Sequence, residues 1–357
     1  MSAIIHNFSA GPAALPWPVR EQLAETFALD DAHTPSVVEI SHRGKRFLEI
    51  AEQLEAGIRR LTGVGDEHAV LLLQGGASLQ FAMLPMNLAR GRTAAFALTG
   101  HWGEKAFAES ARVTETRVVA SSADESYRDL PELGHLPADC AYLHYTGNET
   151  LHGVQYPLPP AAGVPLAADL SSEFLSRPYP YADLGIAYAG AQKNLGVAGL
   201  TVVLVRHDLL ERIPDDLPAW LDYRSWVNSD SMKNTPCTFA WYVAMLVIDW
   251  IDAQGGLAAL GARNQARAAR LYRAIDESDF YANAVAADAR SVMNVPFVLA
   301  DERLTATFVA QAEAAGMPGL KGHRAVGGLR ASLYNAVGVR AVDDLIDFMA
   351  DFERRHG

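Results

Sequence analysis

Two residues in this sequence have the types and placement for covalent amine chemistry. Lys193 lies in Ala189-Gly190-Ala191-Gln192-Lys193-Asn194-Leu195-Gly196, directly after an apolar run that reads as a strand. A lysine becomes a Schiff-base nucleophile when its surroundings lower its pKa; a solvated loop lysine is the ordinary alternative. Asp169 ends the run Pro165–Asp169 and precedes Ser171-Ser172. A carboxylate at the C-terminal end of a parallel strand points into the crevice where α/β proteins bind ligands. Taken alone it reads equally well as a helix cap or turn residue. Lys193 follows it by one or two strands, so the two side chains can converge on one cavity. A pyridoxal cofactor requires such a pair: a lysine for its aldehyde carbon and a carboxylate that keeps the ring nitrogen protonated.

Other residues could serve the same chemistry. Gly75-Gly76-Ala77-Ser78 sits between a strand and a helix, where backbone N–H groups and the helix start favour a phosphate. It lacks the spaced three-glycine dinucleotide fingerprint, which counts against a nicotinamide oxidoreductase. Trp102, at the next strand–helix turn, could stack on a flat ring or simply join the core. Arg43 lies in Ser41-His42-Arg43-Gly44-Lys45, and Lys321-Gly322-His323-Arg324 precedes Gly327-Gly328-Leu329-Arg330. Arginine holds carboxylates and phosphates through its fixed fork of donors, although each of these could be solvated surface charge. No metal-ligand spacing and no Gly-x-Ser-x-Gly elbow occurs.

The elements that must position these residues are legible in the hydrophobic spacing. Phe47, Ile50, Ala51, Leu54, Ile58 and Leu61 mark a helix over Arg46–Leu61 that Gly63 ends. Strands are expected at Ala69–Leu73, Thr93–Leu98, Arg117–Ala120, Ala141–Tyr145, Pro165–Asp169, Gly185–Tyr188 and Leu200–Val205, with helices from Leu79 and Trp102. Strands alternating with helices imply an α/β fold with a mainly parallel sheet covered on both faces. A loop crosses Pro214–Pro236, and helices start near Phe239 and Gly256. Val295–Leu299, Leu304–Ala315, Gly328–Leu333 and Val339–Phe352 then read as a small α+β unit. The spacing places a large domain over 16–255 and a small C-terminal domain over 256–357.

Bulk composition bounds the class. The chain has 357 residues, half of them hydrophobic, and a formal net charge of −12, which disfavours non-specific binding to nucleic acid or anionic membranes. Cys140 and Cys237 cannot build a disulfide framework, fit a reducing compartment and read as small buried hydrophobes. No export signal is visible, and the apolar run Phe239–Ile251 is interrupted by Asp249 and too short for a membrane span. A cytoplasmic protein without a membrane partner is expected.

Six motifs in order give the chain a resemblance. Ser9-Ala10-Gly11-Pro12, Ser41-His42-Arg43-Gly44-Lys45, Tyr145-Thr146-Gly147-Asn148-Glu149-Thr150, Ala168-Asp169-Leu170-Ser171-Ser172, Gly190-Ala191-Gln192-Lys193-Asn194 and Lys321-Gly322-His323-Arg324 resemble the phosphoserine aminotransferase family, from about Phe8 to the C-terminus. That family belongs to class V of the fold-type I pyridoxal-phosphate enzymes. The resemblance implies a seven-stranded, mainly parallel sheet in the large domain, with residues 1–15 packing on the small one. It implies pyridoxal 5′-phosphate as cofactor and transfer of the amino group of L-glutamate to 3-phosphohydroxypyruvate, giving O-phosphoserine and 2-oxoglutarate in serine biosynthesis. In many bacteria the family also serves pyridoxal-phosphate biosynthesis.

Residue roles follow from the same resemblance. Lys193 holds the cofactor and shuttles the Cα proton, Asp169 pairs with the ring nitrogen, Trp102 stacks on the ring and Thr150 contacts the ring oxygen. Ala77, Ser78 and Gln192 hold the cofactor phosphate, with Asn234 and Thr235 reaching in from a neighbouring subunit, so a homodimer shares its active sites. Arg330 takes the substrate α-carboxylate. Arg43, His323 and Arg324 take the phosphate of phosphoserine or the side-chain carboxylate of glutamate. Some members carry arginine where this chain has Ser78. The rival readings are another enzyme of the same class and a catalytically silent cofactor-binding homologue. A desulfurase lacks support because no cysteine follows Cys237, and the presence of both Lys193 and Asp169 argues against a silent protein.

Overall fold

Strands that are apolar on both faces require cover on both faces, and the computed structural model, which describes residues 5–28 and 35–357, provides it. One sheet contains β1 (His68–Leu73), β2 (Thr93–Leu98), β3 (Thr116–Ser121), β4 (Cys140–Thr146), β5 (Leu166–Asp169), β6 (Ile186–Gly190) and β7 (Thr201–Arg206), in the order β1-β7-β6-β5-β4-β2-β3. The strands from β2 to β6 pair in parallel, while β7 runs antiparallel to both β6 and β1. Two reversals leave β1 parallel to β6, so the C-terminal ends of β1, β2, β4, β5 and β6 share one edge. Alternate residues of β1 enter opposite cores: Val70 and Leu72 on one face, Ala69, Leu71 and Leu73 on the other. Each such aliphatic side chain contributes about 1.5–3 kcal/mol on full burial, which outweighs the weak local preference of any single strand. Only the edge strand β3 is substantially exposed among the parallel strands.

The helices are α1 (Trp17–Ala28), α2 (Lys45–Thr62), α3 (Gly76–Leu88), α4 (His101–Ser110), α5 (His207–Leu210), α6 (Tyr223–Val227), α7 (Thr238–Ala253), α8 (Gly256–Asp276), α9 (Thr305–Ala314) and α10 (Val339–His356). The predicted stripe on α2 packs its Phe47, Ile50, Leu54 and Ile58 into one core with α7. Gly63 ends α2 with φ 73° and donates its N–H to the Arg59 carbonyl. The apolar run from Phe239 becomes the core helix α7, and no single described helix is long and apolar enough to cross a membrane.

A second sheet, β10-β9-β8, joins β8 (Tyr281–Ala282), β9 (Asn294–Leu299) and β10 (Leu329–Ser332), all antiparallel. Its core is separate and gathers Leu271, Val295, Phe308, Val342, Leu345 and Phe352, together with Phe8 from the N-terminal segment. That segment ties to it through Phe8 N–H donating to the Pro318 carbonyl, then crosses to Gln192, whose carbonyl accepts from Ala13 N–H.

Three expectations are corrected. Helix α3 begins at Gly76 rather than Leu79, because Gly75 and Gly76, at φ 96° and 69°, make the turn into it and leave Ala77 and Ser78 in its first turn. The Pro214–Pro236 loop contains α6, capped by the Asp222 carboxylate accepting from Arg224 N–H. Cys140 is buried but Cys237 is exposed, since it stands at the surface turn immediately before α7.

Candidate active site

The shared strand edge is where the chemistry collects. Asp169 is the last residue of β5, paired with Thr146 on β4 and Tyr188 on β6, and is 6% exposed. Its Oδ1 accepts the Ser171 backbone N–H at 3.0 Å. Burial pushes its pKa up; hydrogen bonds from Ser171 and the charge of Lys193 oppose that rise. A desolvated carboxylate with this limited support is completed by a cationic ligand atom.

Lys193 stands in the turn after β6. Its Nζ donates to Thr150 Oγ1 at 2.8 Å and lies 6.0 Å from the centroid of the Trp102 ring. Gly11, at φ 139°, passes close over the lysine stem: a Cβ there would stand 3.5 Å from Lys193 Cγ. Trp102 is held by the turn after β2. Gly100 has no side chain to cap α4, and the fully buried Glu149 supplies the missing acceptor, its Oε2 receiving Trp102 N–H at 3.2 Å.

A cavity of about 310 Å³ opens between these groups. It brings together Ala77, Ser78, Trp102, Thr150, Asp169, Gln192, Lys193, His323 and Arg330, from positions as far apart in sequence as α3 and β10. Arg330 is 8% exposed, its Nε has no partner, and burial lowers its pKa from the ordinary arginine value. A buried guanidinium that lines a cavity and keeps a donor unpaired is arranged to receive an anion. Arg43, Arg324, Asn234 and Thr235 are exposed and do not line the cavity of this single chain. The loop bearing Asn234 and Thr235 does reach the same strand edge, where Gln74 Nε2 donates to the Thr235 carbonyl at 3.0 Å.

The cavity also takes in Thr146, Asn148, Ser171 and Ser172, which sequence reasoning did not single out as site residues. Their signal is position, at a strand end or within three residues beyond one. Phe81 gave none, because its helical spacing is that of a core residue.

The residues fit pyridoxal phosphate: a lysine, a buried carboxylate, an indole ring and a glycine-led helix start line one cavity. Fold and site together define a class V aminotransferase, and residues 5–345 match the family model described as Aminotransferase class-V. The chain is 48% identical to a phosphoserine aminotransferase of Geobacillus kaustophilus over 98% of both chains, and 48% identical to one of Azotobacter vinelandii over the full length of both. Among solved structures, the phosphoserine aminotransferase of Bacillus circulans subsp. alkalophilus superposes with a TM-score of 0.95 at 44% identity over 99% of each chain. The pyridoxal-phosphate-bound enzyme of Trichomonas vaginalis gives 0.92 at 38% identity, covering 97% of this chain and 99% of its own. The chain belongs to the phosphoserine aminotransferase family and uses pyridoxal phosphate to exchange an amino group between amino-acid and keto-acid substrates.

Proposed function

We propose that this chain transfers the amino group of L-glutamate to 3-phosphohydroxypyruvate, giving O-phosphoserine and 2-oxoglutarate, within serine biosynthesis. The observation that carries this reading is the convergence of Lys193, Asp169, Arg330 and His323 on one cavity. The cofactor, when bound, supplies an electron sink for the pair left when the substrate Cα loses its proton.

The protein's own groups do the remaining work. Lys193 Nζ would hold the cofactor and carry the Cα proton; the Thr150 hydroxyl, 2.8 Å from that Nζ, would contact the ring oxygen. Asp169 would keep a positive charge on the ring nitrogen, and that charge would offset the burial of the carboxylate. Trp102, its backbone fixed by Glu149, would stack on the ring. Ala77 and Ser78 at the α3 start, with Gln192, would cradle the cofactor phosphate. Arg330 receives the α-carboxylate, and His323 with Arg324 and Arg43 the distal anion.

Asn234 and Thr235 are read as contributions to the site of a second copy, which makes the working form a homodimer. The chain is divided at Gly255-Gly256, with residues 1–15 counted with 256–357; residues 1–4 lie outside the described residues, and the separate core containing Phe8 supports the division for the others. Two free thiols fit a reducing cytoplasm.

The visible absorbance of the purified holoenzyme tests the reading. Its cofactor band should bleach with O-phosphoserine and with glutamate and barely respond to serine. Equal bleaching by serine would overturn the distal anion site, and a protein that never takes up the cofactor would overturn the whole assignment.

A further inference from the structure

His101 meets His323, which lines the cavity, from a distant part of the chain. His101 is the first residue of α4, directly before Trp102. His323 lies in the turn preceding β10 and lines the cavity. Their ring centroids are 5.6 Å apart with planes tilted by 45°, and the His101 ring also meets the edge of Trp102 at 5.5 Å. His101 stands at the start of α4, where the buried Glu149 carboxylate accepts the Trp102 N–H.

The charges around His323 have mostly one sign. Lys105 comes from α4, Arg324 from its own turn and Arg330 from β10. Tyr127, Arg128, His152 and Glu302 line a neighbouring cavity on its other side. Burial, and after it His101 and the three cations, lower the His323 pKa from the ordinary histidine value. Without an anion His323 is therefore short of protons near neutral pH, and an arriving anion opposes that shift.

We propose that His101 is a specificity-determining residue: with His323 it forms an imidazole pair that takes up protons to hold the phosphate dianion of one substrate in preference to the side-chain carboxylate of the other. A phosphate monoester carries close to two negative charges at neutral pH and a carboxylate one, so only the phosphate favours protonation of both rings. The preference is present at low pH and is lost as pH rises through the titration of the bound pair.

This inference rests on the proposed transamination, and the experiment separates the two. The specificity ratio for O-phosphoserine over glutamate is measured in the holoenzyme between about pH 6.5 and about pH 8.5, the range in which imidazoles exchange protons. The ratio should fall roughly tenfold across that range, the effect of about 1.4 kcal/mol. His101→Gln should lower the ratio by a similar factor at the acid end and flatten the profile. His101→Lys should restore the preference for phosphate and keep it at every pH. An unchanged ratio and slope in His101→Gln, or an equal loss for both substrates at all pH values, would overturn the role. If the holoenzyme turns over neither substrate, the functional reading fails, and calorimetric titration with inorganic phosphate decides the pair by itself. Proton uptake on binding that disappears in His101→Gln supports it; identical uptake in both proteins rejects it.

Discussion

A carboxylate taken out of water is stable as an anion only when charge or hydrogen bonds replace the lost solvation, and Asp169 shows how this site depends on that balance. Burial raises its pKa, against the pull of Ser171 and Lys193. In the cofactor-free protein it therefore takes up a proton at a higher pH than an ordinary aspartate. A raised folded-state pKa means that the folded chain binds more protons than the unfolded chain within the window, so this residue's contribution to stability falls as pH rises through it. Two results are expected. Cofactor affinity, followed by equilibrium titration, should drop as pH is lowered into the weakly acidic range. Asp169→Asn should bind cofactor about 10–100-fold more weakly at neutral pH, the effect of losing one charge-assisted bond of about 1.5–3 kcal/mol, and should show no acid-side drop. A cofactor affinity in the parent that does not change across that range would contradict the assigned role of Asp169.

The turn between β2 and α4 shows the same dependence one level up. A helix start without a capping side chain leaves its first N–H groups unpaired, and here Glu149 reaches across from the β4 turn to Trp102 N–H. It can do so only because position 100 is glycine. A Cβ there would lie 2.5 Å from both Glu149 Cγ and His152 Nδ1, and the backbone sits at φ 151°. Gly100→Ala should cost about 1–3 kcal/mol of stability from backbone strain, seen in thermal melts. Since the displaced groups hold Trp102, cofactor affinity should weaken as well. A variant with lowered stability but unaltered cofactor binding would show that the cap does not set the position of the indole.

Across the whole molecule, the two sheets are joined by a buried polar seam rather than by apolar packing alone. Asn294 on β9 accepts from Asn148 Nδ2 at 2.8 Å and donates to Ser332 Oγ at 3.0 Å, while Asn148 also donates to Ser172 Oγ at 2.7 Å. Nearby, Asn335 N–H donates to Asn194 Oδ1 at 3.0 Å, one residue from Lys193, and Asn264 donates to Asn335 at 2.9 Å. The seam connects the strand that carries Arg330 to the turns that carry Asp169 and Lys193, so it sets the distance between the carboxylate-binding and amine-binding ends of the site. Asn294→Leu keeps the branching of the side chain but strands several buried partners, at about 1–3 kcal/mol for each group left unpaired. Its urea midpoint should fall markedly, with a raised KM for both amino-acid substrates. A normal KM in a destabilised variant would show that the seam supports the fold without tuning the site.

The sequence by itself determined the periodic elements, the α/β class and the pairing of Lys193 with Asp169, because hydrophobic period and strand-end position are local properties that survive without tertiary context. Through a resemblance it also named Trp102, Thr150, Gln192, His323 and Arg330, all of which line the one cavity. It could not show that β7 enters the sheet antiparallel, since an apolar strand buried on both faces carries no direction in its composition. Nor could it show that Cys237 is exposed, that Glu149 caps a helix it does not belong to, or that His101 faces His323. Those depend on residues remote in the chain: neighbouring strands of the large sheet bring Glu149 to Trp102, and the turn before β10 brings His323 to His101.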